Sequence, residues 1–208
     1  MHYFPLSLSQ LNILNLERAF SGTSINNIST TVRINGYLDY PLLQESIHLV
    51  LENDSSLRTQ LTTVDGTLMQ YHVPYSRVDF PVYDFCSASS ESIHNWELAV
   101  TREPIPLENN PLYQFVIFRD GENRGGVLVK LHHIIADGWS QINICNKIGK
   151  TYLELITGKD VTLSQAPDYE LHVQDEQKYL ASKAFVKDEK YWKKMLSLCC
   201  IGVSCFFA

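Results

Sequence analysis

The sequence predicts an α/β fold, a two-layer sandwich in which a mixed, mostly antiparallel sheet is covered by helices. Three observations carry that expectation. Apolar and polar residues alternate in short runs bounded by turn residues, as at 28–34 and 68–73. Between those runs, apolar residues recur at helical spacing behind capping residues, as where Asp39 and Pro41 precede Leu43, Ile47, Val50 and Leu51. A chain of 208 residues, 45% hydrophobic and 19% charged, suits one domain with a sizeable core or one lobe of a larger body.

In chain order, Phe4-Pro5-Leu6-Ser7-Leu8-Ser9-Gln10 leads into a helical pattern through Leu11, Ile13, Leu14 and Leu16 that ends near Gly22, with Ser7 or Ser9 as its cap. The strand over 28–34 closes at Asn35-Gly36, and the helix announced by Asp39 follows. Residues 53–61 read as a helix end running into a strand, Asp65-Gly66 as a hairpin turn and 68–73 as the return strand. Pro74 and Pro81 break an extended stretch over 75–85 that suits a sheet edge or a connector. Serines at 87–92 cap a helix through Ile93, Trp96, Leu98, Ala99 and Val100, which Pro104 and Pro106 end. Residues 112–118 form a strand, 119–126 a turn and 127–131 a second strand. Ile142, Cys145, Ile148, Tyr152, Leu155 and Ile156 then recur at helical spacing up to Gly158. After a linker over 161–167, a helix starts near Asp168-Tyr169-Glu170, and a charged one follows from Ser182.

Polar residues concentrate where the second strand of that pair meets a helix, in Lys130-Leu131-His132-His133-Ile134-Ile135-Ala136-Asp137-Gly138-Trp139-Ser140. Such a junction can hold an imidazole facing a cleft. Neighbouring side chains of an extended backbone leave on opposite sides, so His132 and His133 cannot both serve one cleft. One faces the chemistry and the other the packed interior. Asp137 is placed to fix the loop through a buried ion pair or hydrogen bonds, and Gly138 permits a tight turn or a close backbone approach. Trp139 is expected in the core. Arg58 has two readings: an exposed arginine at a strand start, or an ion partner holding the Asp137 loop through a planar two-bond pairing with a carboxylate. A zinc site on His-x-x-x-Asp lacks a nearby third ligand, so no metal is expected.

The pattern His132-His133-x-x-x-Asp137-Gly138 followed by Trp139-Ser140 resembles the core motif of the condensation domains of nonribosomal peptide synthetases, which belong to the chloramphenicol-acetyltransferase-like acyltransferases. Other parts of the chain carry the resemblance further. Pro5-Leu6-Ser7-x-Ser9-Gln10 ahead of a helix looks like the family's opening motif. Leu57-Arg58-Thr59 matches its second motif, although Asp54-Ser55 stands where the family usually has His-Glu. A tyrosine-bearing helix and then Asp188-x-x-Tyr191-Trp192 continue as the family does, so the match runs from Phe4 to about Leu196.

The resemblance implies the N-terminal lobe of that fold and acyl transfer to an amine. His133 would take the proton of the amine or hold the amine in place, and the Gly138 N–H would stabilise the developing oxyanion. His132 would be a packed structural residue, with Asp137 as a brace. It implies no cofactor bound by this chain, because both substrates arrive on the phosphopantetheine arms of peptidyl or acyl carrier domains, the expected partners. In the family a second lobe of similar size completes the substrate tunnel. The lobe alone is therefore expected to be inactive, and exposed apolar surface to favour the missing C-terminal lobe or self-association. Two other readings stand beside this one: a freestanding coenzyme A-dependent acyltransferase of the same fold, and an inactive half-domain that serves only as an interaction module.

Composition narrows the rest. A net charge of −6 gives no basic footprint for nucleic acid. The glycines at 121–126 lack the lysine and following helix of a phosphate loop. No signal peptide is visible, and Cys86 and Cys145 read as single buried thiols, which makes a cytoplasmic location the expectation. Residues 1–196 read as the lobe. Residues 197–208, with three of the five cysteines, depart from the family and are best accounted for by truncation, a frameshift or a gene-model error. A closing strand or helix is the plainer alternative, and a membrane anchor is disfavoured because the stretch is too short to span.

Overall fold

Capping side chains set where the helices begin. In the computed structural model, which describes residues 1–164 and 166–199, strand β1 (Phe4–Pro5) leads into α1 (Leu8–Ala19). Of the two candidate serines, Ser7 is the cap: its hydroxyl accepts from the Gln10 N–H, and Gln10 Oε1 accepts in return from the Ser7 N–H. Asp39 caps α2 (Tyr40–Asn53) and Ser89 caps α3 (Ser90–Arg102) in the same way. Asp65 and Gly66 take the positive φ values, 48° and 78°, of a two-residue hairpin between β3 (Thr59–Val64) and β4 (Thr67–His72).

The strands divide into two sheets. One has the order β1-β4-β3. The other contains β2 (Asn27–Asn35), β5 (Val82–Asp84), β6 (Tyr113–Gly121) and β7 (Arg124–His132) in the order β2-β7-β6-β5. In that sheet β5 alone among the described strands runs parallel to its neighbour, so the sheet is mixed and mostly antiparallel. The turn expected over 119–126 is shorter than that, because β6 and β7 run into it and a bulge near Arg119–Gly121 absorbs the mismatch. Gly125 and Gly126 lie within β7, where a Cβ would collide with the backbone carbonyls of Phe118 and Val32.

One face of the four-stranded sheet is apolar. Ile28, Val32, Phe115, Ile117, Val127, Val129 and Leu131 pack there against Leu43, Ile47 and Val50 of α2 and Ile144, Ile148 and Tyr152 of α4 (Gly138–Ile156). The helices are not confined to that face. On the other, Trp96 of α3 meets Phe118 edge-on, and Lys130 donates to the carbonyls of Val100 and Glu103 at 2.8 and 3.0 Å. A smaller core of Leu6, Leu14, Leu61, Leu112 and Ile134 joins α1 to the three-stranded sheet and to the loop after β7.

The chain forms two compact units, Met1–Asp168 and the residues from Tyr169 on. The second holds α5 (Tyr169–Leu180) and α6 (Lys183–Cys199), joined by a short turn in which Ser182 accepts from the Phe185 N–H and Tyr179 donates to Asp188. Helix α6 passes through the boundary expected at 196, and residues 200–208 of the anomalous tail lie outside the described residues. Cys86 is exposed and Cys145 only partly buried, so neither is the buried thiol expected. Among the described residues, no helix is long and apolar enough to cross a membrane.

Candidate active site

Strand β7 is hydrogen-bonded on both sides, to β2 and β6, up to the pair Asn27–His132. The histidines therefore leave the sheet from a rigid edge. Strand β7 ends at His132 and His133 opens the turn closed by the Ile135 N–H on the His132 carbonyl, and the two differ in burial: His132 is 1% exposed, whereas His133 is only half-buried.

Their hydrogen bonds assign opposite tautomers. His132 Nδ1 accepts the Ile134 N–H at 3.1 Å, so its proton resides on Nε2, which faces Glu17 Oε2 at 3.5 Å in an electrostatic contact without a hydrogen bond. Burial pushes the His132 imidazolium toward deprotonation, and the Glu17 carboxylate opposes this without reversing it. His133 Nδ1 lies 2.8 Å from the carbonyl oxygen of Ala136. A carbonyl only accepts, so Nδ1 carries the proton and Nε2 keeps the lone pair.

Asp137 is exposed and in no buried ion pair. It is the N-cap of α4, accepting from the Ser140 N–H at 2.8 Å and the Ser140 hydroxyl at 2.7 Å, which hold its carboxyl below the ordinary range. A helix start offers unpaired N–H groups, and the nearest carboxylate takes them. Gly138 is the first residue of that helix. Its φ is not in the left-handed region and a Cβ there would meet nothing within 4 Å, so neither a tight turn nor close packing demands glycine. Its N–H belongs to the positive end of α4.

The ion-partner reading of Arg58 and the core position of Trp139 fail here. Among the described residues Arg58 pairs with no carboxylate: its guanidinium donates to the carbonyls of Val73, Leu51 and Glu52, tying the end of α2 to the strand end after β4. The last turn of a helix leaves its carbonyls unpaired, and a five-donor fork satisfies several at once. Trp139 is 72% exposed. The face of α4 that turns to the sheet runs through Gln141, Ile144, Ile148, Thr151 and Tyr152; of the expected stripe, Ile148 and Tyr152 lie on it and Cys145 packs beside it, whereas Ile142 and Ile156 at its two ends are exposed.

Sequence reasoning also missed Gln10 and Glu17 as neighbours of the histidine loop. Gln10 Nε2 donates to the carbonyl of Ile134 at 3.1 Å, and Glu17 accepts from Asn26 at 2.7 Å beside His132. The one signal available was that both fall on the inward face of a helix where polar residues need partners.

Residues 1–200 match the family model described as condensation domain. Surfactin synthase subunit 1 of Bacillus subtilis (strain 168) is 30% identical over 197 residues, 92% of this chain but 6% of that relative. Tyrocidine synthase 2 of Brevibacillus parabrevis is 25% identical over 198 residues, 91% of this chain and 5% of its own length. Among solved structures, the starter condensation domain of rhizomide synthetase superposes with a TM-score of 0.85 at 20% identity, covering 94% of this chain and 48% of that one. The first condensation domain of the calcium-dependent antibiotic synthetase gives 0.83 at 20% identity over 94% and 49%. The chain thus spans about half the length of these solved condensation domains and a small part of the synthetases.

Proposed function

The chain belongs to the condensation domain family, and from that premise we propose that it takes part in amide-bond formation between two carrier-bound thioesters, with His133 Nε2 as the group that receives or holds the proton of the attacking amine. The observation that carries this reading is the Ala136 carbonyl on His133 Nδ1, which leaves the lone pair on Nε2 of a half-buried ring.

The amine nitrogen attacks the thioester carbonyl, a C–N bond forms, and negative charge builds on the carbonyl oxygen. The Gly138 N–H, at the positive end of α4, is the donor suited to that charge. As the tetrahedral intermediate collapses, the C–S bond breaks and the thiolate leaves. The proton lost by the amine passes through His133 Nε2 to the departing sulfur. His132, Asp137 and Arg58 act on structure: His132 within the loop, Asp137 at the start of α4, Arg58 at the end of α2. The substrates are carried on the phosphopantetheine arms of peptidyl and acyl carrier domains, and this chain's residues bind no further cofactor in this scheme.

The test supplies the chain together with a condensation-domain C-terminal lobe to complete the tunnel, since the lobe alone is expected to be inactive, adds an acyl thioester donor and an aminoacyl thioester acceptor on carrier proteins, and follows the amide by mass spectrometry. His133→Ala is expected to lower turnover by about 10²–10⁴-fold. An unchanged rate would remove His133 from the chemistry. Use of coenzyme A thioesters alone would convert the reading to a freestanding acyltransferase, and no turnover with either donor would leave an interaction module.

A further inference from the structure

We infer that α1 is the positioning element of the histidine loop, with Gln10 and Glu17 as positioning residues for His133; this rests on the reading of His133 Nε2 as proton acceptor. Gln10, Leu14 and Glu17 follow at the spacing of one helix face, and Leu14 packs in the same cluster as Ile134.

The two polar residues hold opposite sides of Ile134. Gln10 Nε2 donates to the Ile134 carbonyl at 3.1 Å. Glu17 Oε2, 3.5 Å from His132 Nε2, favours the proton on that nitrogen and so leaves His132 Nδ1 free to accept the Ile134 N–H at 3.1 Å. The Ile134 carbonyl is thereby tied to α1 directly, and its N–H to His132, whose ring the Glu17 carboxylate of the same helix biases electrostatically.

Gln10 has no freedom of its own. Its amide nitrogen also donates to Gln70 Oε1 at 2.9 Å, and its Oε1 accepts from the Ser7 N–H at 2.9 Å and from Gln70 Nε2 at 2.8 Å. Gln70 donates in turn to the Pro5 carbonyl. The whole hydrogen-bonding capacity of the Gln10 amide is used, and the residue is 3% exposed.

The consequence reaches the imidazole through the loop. Residues 133–136 must stay in their present curve for the Ala136 carbonyl to meet His133 Nδ1 at 2.8 Å. A loop released at Ile134 lets that carbonyl drift. The ring then populates the tautomer with its proton on Nε2, where that nitrogen donates instead of accepting.

Nitrogen-15 NMR of histidine-labelled full chain reads this directly, since the two ring nitrogens of each tautomer differ widely in shift. Gln10→Glu retains the oxygen that accepts from Ser7, and with it the cap of α1, but loses the N–H given to Ile134. The expected result is a change at His133 from the single Nδ1–H tautomer to a mixture. Glu17→Leu is expected to do the same through His132. Arg58→Met, which loses three carbonyl contacts elsewhere, serves as the comparably destabilised control and keeps the wild-type His133 signals. If the buried charge prevents Gln10→Glu from folding, Gln10→Met removes the same donor. A folded Gln10 variant with the wild-type His133 tautomer overturns the inference. Full turnover by His133→Ala would instead overturn the base reading and leave the tautomer result standing.

Discussion

One face of the four-stranded sheet meets α2 and α4 through Phe115, Ile117, Val127, Val129 and Leu131. The other meets α1 and α3 through polar groups as well: Lys130 to the carbonyls ending α3, His132 toward Glu17 of α1, and Arg33 to Glu97 of α3. The same strands supply both faces in alternate positions. Apolar burial is strong and non-directional, so it fixes that α2 and α4 lie on the sheet more firmly than it fixes their angle. Hydrogen bonds contribute less each but demand distance and direction, and a buried polar group left alone is costly. The face that carries the histidine loop is the one that uses them. The difference teaches where stability and where precision are placed in this unit.

The largest expected effect tests the apolar face. Phe115→Ala removes a ring that is 3% exposed, edge-on to Phe80 and tilted against Tyr113, and should cost about 3–5 kcal/mol in urea unfolding. The His133 tautomer should stay as it is in the fraction that remains folded. A cost below about 1 kcal/mol would show that this face collapses around the gap and is not packed to native density.

On the polar face, Lys130→Met keeps the aliphatic stem and removes the ammonium. Two carbonyls at the end of α3 then lose a partner, one of which, that of Glu103, also accepts from Asn27 at 2.8 Å. The expected loss is about 1–3 kcal/mol, with faster amide exchange confined to the last turn of α3. If the variant is as stable as the wild type, the ammonium was compensating only its own desolvation, and the contrast between the faces would narrow to geometry.

Much of this was legible in the residues because it is local. Ser7, Asp39 and Ser89 announce helices by a bond spanning three residues, and Asp65-Gly66 announces a hairpin. What stayed hidden is the identity of partners distant in sequence. Arg58 takes backbone carbonyls, which every residue has and no side chain advertises. Gln10 meets Ile134 across 124 positions. Trp139 is exposed in the first turn of α4 although the later stripe residues Ile148 and Tyr152 do face the core, because an aromatic ring's bulk says nothing of which face of the turn it leaves from. The pattern of the family located the histidines; only the folded chain shows which nitrogen of each holds the proton.

The smallest effect compares one residue type in two settings. His48 lies in α2 against Phe80 and Tyr75 with its Nδ1 unpaired, whereas His132 Nδ1 accepts the Ile134 N–H. Burial lowers the pKa of both; Arg77 adds to the shift at His48, and Glu17 opposes it at His132. In the unfolded chain each ring takes a proton near its ordinary 6.5, while the folded chain resists until lower pH. Each therefore contributes stability that is full above about pH 6.5 and is lost as the pH falls through the depressed folded value, with a slope of at most about 1.4 kcal/mol per pH unit for one proton. Urea unfolding at pH 7 and pH 5 should show a smaller acid loss in His48→Leu and in His132→Leu than in the wild type. At pH 7 the two part: His48→Leu exchanges one apolar contact for another and should be the milder, while His132→Leu orphans the Ile134 N–H and should cost about 1–3 kcal/mol. Equal costs at pH 7 would mean that the bond to Ile134 adds nothing beyond packing, and the polar face would lose its claim to set the position of the loop.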